Sequence, residues 1–314
     1  MTPERLMRSR VNAAFLIMCL TLALQSVATF PTLLFQTLAL FGVTYDPYYV
    51  DFVVPQILYP LLLGGAMIVA LLCLKIPLRR VMKVSAPKGD LVLWLGLFLG
   101  VSTVMNYLIY WGLLLLEQVG IVIPDVFAAY EPETVLQAIF YVFVLAFLPP
   151  ISEEILCRAG IAGPLKHFHP WVAVFVSAFG FGLMHATVQQ IPFAFALGLV
   201  LGFVYLKTGN FLYPVLLHFA NNAWACVLTI LSVEFGDETV GLWSTVVDVI
   251  FLLWGVVSLI LLLRKKRLTL SEIPRSLDTP SALRAVATAP AFWVFTGLYI
   301  LMTIAVLASS LLLA

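Results

Sequence analysis

The sequence predicts an all-α, polytopic transmembrane helical bundle of about nine spans, and three observations predict it. Only 11% of its 314 residues are charged, while 62% are hydrophobic. A soluble domain carries about a quarter of its residues as charges, so lipid rather than water must cover this surface. Apolar stretches of about 20 residues recur along the chain, each long enough to cross hydrocarbon as a helix. The Lys and Arg residues fall in alternate polar breaks, as they do when loops sort to one side of a membrane.

The spans read as 12–31, 52–74, 91–116, 134–157, 171–188, 190–206, 211–232, 241–263 and 291–313. The first is read as a retained helix and not a cleaved leader, because Val27-Ala28-Thr29 is a poor cleavage site and many spans follow. Asp46-Pro47 in one break, and Pro124-Asp125 and Glu131-Pro132-Glu133 in another, are turn and helix-start signals. Gln189-Gln190 and Pro192 make only a thin boundary before 190–206. Three units follow: residues 1–133 with three spans, 134–232 with four, and 233–314 with the C-terminal spans and a basic loop.

With the N-terminus cytoplasmic, the breaks 1–11, 75–90, 158–170, 207–210 and 264–290 lie inside and hold all 17 Lys and Arg. The outside breaks then carry only acids, Asp46, Asp51, Glu117, Asp125, Glu131, Glu133, Glu234, Asp237 and Glu238. Trp171, Trp243 and Trp293 stand at span starts as interfacial anchors. In a prokaryote, the implied location is the cell membrane. No basic patch is large enough to neutralise a run of phosphates, which excludes a nucleic-acid partner. Cys19, Cys73, Cys157 and Cys226 all fall in apolar runs and read as packed thiols without a disulfide framework.

Ionisable groups at membrane depth are expensive and mark function. Pro149-Pro150-Ile151-Ser152-Glu153-Glu154 leads into Arg158 on the fourth span. The prolines should kink that helix and free backbone carbonyls. Glu154 and Arg158 share a face four residues apart with the acid first, a good ion-pair order, while Glu153 is turned about 100° away. Phe181 and His185 share a face of the fifth span, beside Gly180 and Gly182, where another backbone can approach. His218 and Asn222 point together from the seventh. Counted at ~1.5 Å per residue from their cytoplasmic turns, Glu153, His185, His218 and Asn222 lie at similar depths of roughly 16–22 Å. Ser152 and Ser177 are poorly placed as nucleophiles. His167 and His169 read as an exposed pair in a turn, and Asp248 as a costly acid within the eighth span, held by a structural hydrogen bond to Ser244 or Thr245.

The order Glu153-Glu154-x-x-x-Arg158, Phe181-x-x-x-His185, His218-x-x-x-Asn222 resembles the CPBP family of intramembrane proteases, which includes the CAAX and bacteriocin-processing (Abi) proteins. The resemblance covers residues 134 to 232. It implies a glutamic intramembrane endopeptidase without a cofactor, acting on a peptide or membrane-protein substrate: a prenylated CAAX tail, a leader peptide or a membrane protein's own segment. It further implies that Glu153 activates water with help from His185, that His218 and Asn222 form an oxyanion hole, and that Glu154 and Arg158 hold the helix. Cys157-Arg158-Ala159 stands where family members commonly have Phe-Arg-Gly, a departure expected to alter packing beside the site. Two alternatives stay open. Glu153, His185 and His218 can be read as a zinc ligand set, although no His-Glu-x-x-His helix is present. The chain can also be read as a non-catalytic scaffold, immunity protein or transporter, although polar groups confined to one half are not a transporter's pattern.

Overall fold

The computed structural model describes residues 1–123 and 130–313, and all its regular elements are helical. Pro124-Asp125 lies outside the described residues. Helix α1 (Pro3–Ala28) starts at Thr2, whose hydroxyl accepts from the Arg5 N–H, and α2 (Phe30–Ala39) continues it beyond Thr29. Next come α3 (Tyr48–Cys73), whose first turns are a π-helix, and α4 (Leu91–Gln118). Helix α5 (Val135–Leu165) opens on a capping box, in which the Thr134 hydroxyl accepts from the Gln137 N–H and the Gln137 side chain accepts from the Thr134 N–H. Then follow α6 (Pro170–Leu183), α7 (Gln190–Thr208), α8 (Leu212–Phe235) and α9 (Asp237–Arg264). The chain ends in α10 (Thr279–Ala287) and α11 (Pro290–Leu313). Gly209, at φ +61°, closes α7 in the left-handed conformation that only glycine adopts without strain.

Among the described residues, eight helical segments are long and apolar enough to cross a membrane, and the thinly bounded 190–206 is one of them, as α7. The predicted fifth span, 171–188, is the exception. Helix α6 has 14 residues and stops at Leu183, where Met184 and His185 form a turn and Ala186 takes φ +54°. Many large apolar side chains face outward, among them Leu61, Trp111 and Leu253, as a lipid-solvated bundle requires. Trp171, Trp243 and Trp293 are also exposed.

Helix α5 is central and touches α3, α6 and α8. Around it α1 packs on α3 and α11, α6 on α7, and α4 on α9. The α4–α9 seam is tight: a Cβ on Gly100 would lie 2.8 Å from the Gly255 Cα, so small residues let the two backbones meet. Cys157 and Cys226 are buried, Cys19 is partly covered, and Cys73 faces outward rather than packing.

The positively charged breaks gather at one end. The Phe211 N–H donates to the Lys83 carbonyl at 2.8 Å, Lys207 Nζ to the Thr269 carbonyl at 2.8 Å, and the Ser276 N–H to the His167 carbonyl at 3.0 Å. The Ala291 N–H reaches Asn12 Oδ1 at 3.1 Å, which ties the N-terminal helix to the same end. At the other end Tyr48 donates to the Gln137 carbonyl at 2.9 Å, and Phe52 stacks on Tyr130. Arg158 departs from the charge pattern: it is fully buried inside the bundle rather than lying in the 158–170 break.

Candidate active site

The site begins with two prolines. Pro149 has no N–H, so the Leu145 carbonyl four residues earlier loses its helical donor. The helix widens to π geometry over Phe143–Phe147, and Asn222 Nδ2 of α8 donates to that carbonyl at 3.0 Å. The freed carbonyl is as the sequence predicts, the helix widening at this point, and the group that answers the carbonyl is one of the motif residues. Asn221 Nδ2 in turn donates to Asn222 Oδ1 at 3.3 Å, and Ser102 of α4 donates to Asn221.

Glu154 and Arg158 are both completely buried, with Oε2 and Nε 2.9 Å apart. The alignment is poor for a hydrogen bond, so the contact is mainly electrostatic. Arg158 Nη2 donates to the Gly198 carbonyl of α7 at 3.2 Å, and its guanidinium lies 4.7 Å from the Phe181 ring centre. A Cβ on Gly198 would meet Ala178 Cα at 3.0 Å, so glycine lets α7 sit close enough on α6 to present that carbonyl.

His218 is held between the two glutamates. Its Nδ1 is 3.1 Å from Glu154 Oε1 and its Nε2 is 3.7 Å from Glu153 Oε2. A carboxylate already tied to Arg158 can only accept, which assigns the proton on Nδ1 and turns Nε2 toward Glu153. The Glu153 side chain keeps 15% of its exposure where Glu154 keeps none, so Glu153 is the less enclosed of the two carboxylates. The Phe181 ring stands edge-on to both imidazoles, 5.0 Å from His185 and 5.4 Å from His218. His185 Nδ1 contacts the Phe181 carbonyl at 2.7 Å and lies just past the end of α6 rather than within a span.

Other expectations divide. Ser152 bonds back to the Leu148 and Pro149 carbonyls, and Ser177 donates to the Cys157 carbonyl at 2.8 Å, so neither is poised as a nucleophile. His167 is exposed, but His169 is buried, against the reading of an exposed pair. Its Nδ1 caps α6 by accepting from the Val172 N–H, and its Nε2 meets Thr279 and Arg275. Burial, and then Arg275, push the His169 pKa below its ordinary value. Asp248 takes its hydrogen bond from Tyr107 of α4, while Ser244 and Thr245 bond to the Gly241 carbonyl. Among the described residues, no group of three or more His, Cys, Asp or Glu side chains is close enough to hold one metal ion.

The helices that build this cluster are the ones that a family comparison singles out. Residues 135–224 match the family model described as Rce1-like, type II CAAX prenyl endopeptidase Rce1-like. Over that segment the chain is similar to this family. This is the CAAX protease family that the three motifs resemble, and the match takes in Glu153, Glu154, Arg158, His185, His218 and Asn222. No curated protein and no solved structure matches the chain. An Rce1-like segment set among membrane-crossing helices supports, in broad terms, a multi-pass intramembrane endopeptidase acting on a peptide or protein substrate.

Proposed function

We propose that this protein hydrolyses a peptide bond of a membrane-associated substrate, prenylated or leader-bearing, using water activated by Glu153. One observation carries the reading: the buried relay Arg158–Glu154–His218, with the less enclosed Glu153 on the far side of the His218 ring. Glu153 takes a proton from water as the oxygen attacks the substrate carbonyl. Glu154 fixes the His218 ring and offsets positive charge on it, and Arg158 pairs with Glu154 from the other side. A protonated His218 Nε2 and the second N–H of Asn222 then donate to the developing oxyanion. Glu153 returns that proton to the leaving nitrogen as the C–N bond breaks, while His185, whose Nδ1–H donates to the Phe181 carbonyl, keeps its Nε2 lone pair to accept from the attacking water.

A zinc-dependent version is the second reading, and the donors fit it poorly. That version needs Glu153, His185 and His218 on one ion, and among the described residues no three His, Cys, Asp or Glu side chains converge. The deciding assay offers purified protein a prenylated CAAX peptide and a leader peptide, with and without a tight chelator. Glu153→Gln should abolish cleavage at an unchanged melting temperature, and the chelator should leave the wild type active. Wild-type rates in Glu153→Gln would sink the glutamate assignment. Stoichiometric zinc that is lost from both His185→Ala and His218→Ala would favour the metal version, and absence of any cleavage a non-catalytic scaffold or immunity protein.

A further inference from the structure

A cavity of about 290 Å³ opens between the segment before α4, the α7–α8 turn and the loop after α9. It is distinct from the polar cluster: Lys207, on its wall, follows Gly198 by nine residues, about 13 Å along α7. Lys83, Lys88, Lys207 and Arg267 line it, against one acid, Asp90. Lys207 is neutralised by Glu272 at 2.7 Å, and Asp90 is occupied by the Tyr213 hydroxyl at 2.7 Å. Among the described residues Lys83, Lys88 and Arg267 form no ion pair.

The walls are firmly built. Asn210 is buried and donates from Nδ2 to the Ser85 carbonyl at 2.8 Å, while its Oδ1 accepts from the Ser85 N–H at 3.3 Å and from the Leu212 N–H at 3.1 Å. The Lys88 N–H donates to the Tyr213 hydroxyl at 2.8 Å. The backbone carrying both free lysines is thereby fixed to the turn beside Lys207, and less order remains to be imposed when an anion arrives. Like charges held around one hollow repel one another unless an anion sits among them. The basic end of the bundle is where headgroups would lie, and Trp94 adds an apolar surface to the lining.

We propose that this cavity binds a phosphate-bearing group, with Lys83, Lys88 and Arg267 as its cationic contacts. The phosphate comes from an anionic lipid headgroup or from soluble phosphate. The full chain in detergent would be titrated with phosphatidylglycerol, with phosphatidylcholine and with inorganic phosphate, while retained ligand and lysine reactivity toward an amine reagent are recorded by mass spectrometry. Phosphatidylglycerol should bind and shield Lys83 and Lys88 but not Lys265 and Lys266. The triple variant Lys83→Gln, Lys88→Gln, Arg267→Gln should lose affinity by about fivefold per charge, roughly a hundredfold in all, where the control Arg264→Gln, Lys265→Gln, Lys266→Gln stays within about twofold. Shielding of the same lysines by inorganic phosphate, without phosphatidylglycerol binding, would identify the soluble ligand at the same site. Equal weakening in both triple variants, or no shielding of Lys83 and Lys88 by either ligand, overturns the assignment. The shielding arm needs no variant to fold, and no readout depends on peptide cleavage.

Discussion

Arg158 is a cation enclosed entirely by protein, with Glu154, Phe181 and the Gly198 carbonyl around it. Removing it strands a buried carboxylate whose remaining neighbour is an imidazole. Arg158→Ala should therefore lower stability by about 3–5 kcal/mol, read as a fall in melting temperature and in yield of folded protein. Glu153→Gln has no such cost, because its carboxylate is partly open and has no cation to abandon. A pair of variants with equal melting temperatures would show that the two glutamates do not divide their work this way. The i, i+4 spacing made the Glu154–Arg158 pair legible in the sequence, since one helix fixes it. The Glu154–His218 bond was not legible, because it joins residues 64 positions apart across a packing interface. Nor was Tyr107 as the partner of Asp248, which depends on how α4 meets α9.

At the scale of one helix, Pro149 and Asn222 form a unit: the first removes a donor and the second replaces it. Asn222→Ala leaves the Leu145 carbonyl unanswered and should cost about 1–3 kcal/mol, and about 10²–10³ in turnover if the amide also serves the oxyanion. Pro149→Ala returns an N–H to the backbone. In that background the stability cost of Asn222→Ala should shrink while the loss of turnover remains, and full additivity in both measurements would contradict the shared role. Helix α6 carries a different dependence, through the buried cap His169. Its folded pKa is depressed, so the unfolded chain takes up the proton first as pH falls. The cap's contribution is therefore complete above the ordinary histidine pKa of about 6.5 and is lost as pH drops toward the folded value. Melting temperature should decline from pH 7.5 to 5.5, and more shallowly in His169→Asn, which keeps a capping acceptor without the titration. Parallel declines in the two proteins would remove His169 as the cause. The end of α6 was misread in sequence because Met184 to Val188 is apolar enough to continue a span. Only the backbone, through the positive φ of Ala186, shows the chain turning away.

For the molecule as a whole, hydrogen bonds bring the basic breaks together at one end, the end that the charge rule predicts to be cytoplasmic. With Cys73 changed to Ser, a cysteine at the exposed position Lys266 should resist an impermeant thiol reagent in intact cells and react after lysis. Labelling in intact cells would invert the orientation while leaving the bundle unchanged. Span number and charge sorting were legible because hydrocarbon thickness and loop charge act on composition, whereas which helices touch was not. The shortness of α6 has a consequence at this scale. Fourteen residues reach about 21 Å, well under the ~30 Å of bilayer hydrocarbon, so the turn carrying His185 ends below the opposite surface. Irregular backbone at that depth persists only inside protein or beside water, and a short helix draws the bilayer thin around it. The proposed hydrolysis consumes water, and the level at which α6 stops, with His185 in the turn that follows, is where a supply of that reactant is to be sought.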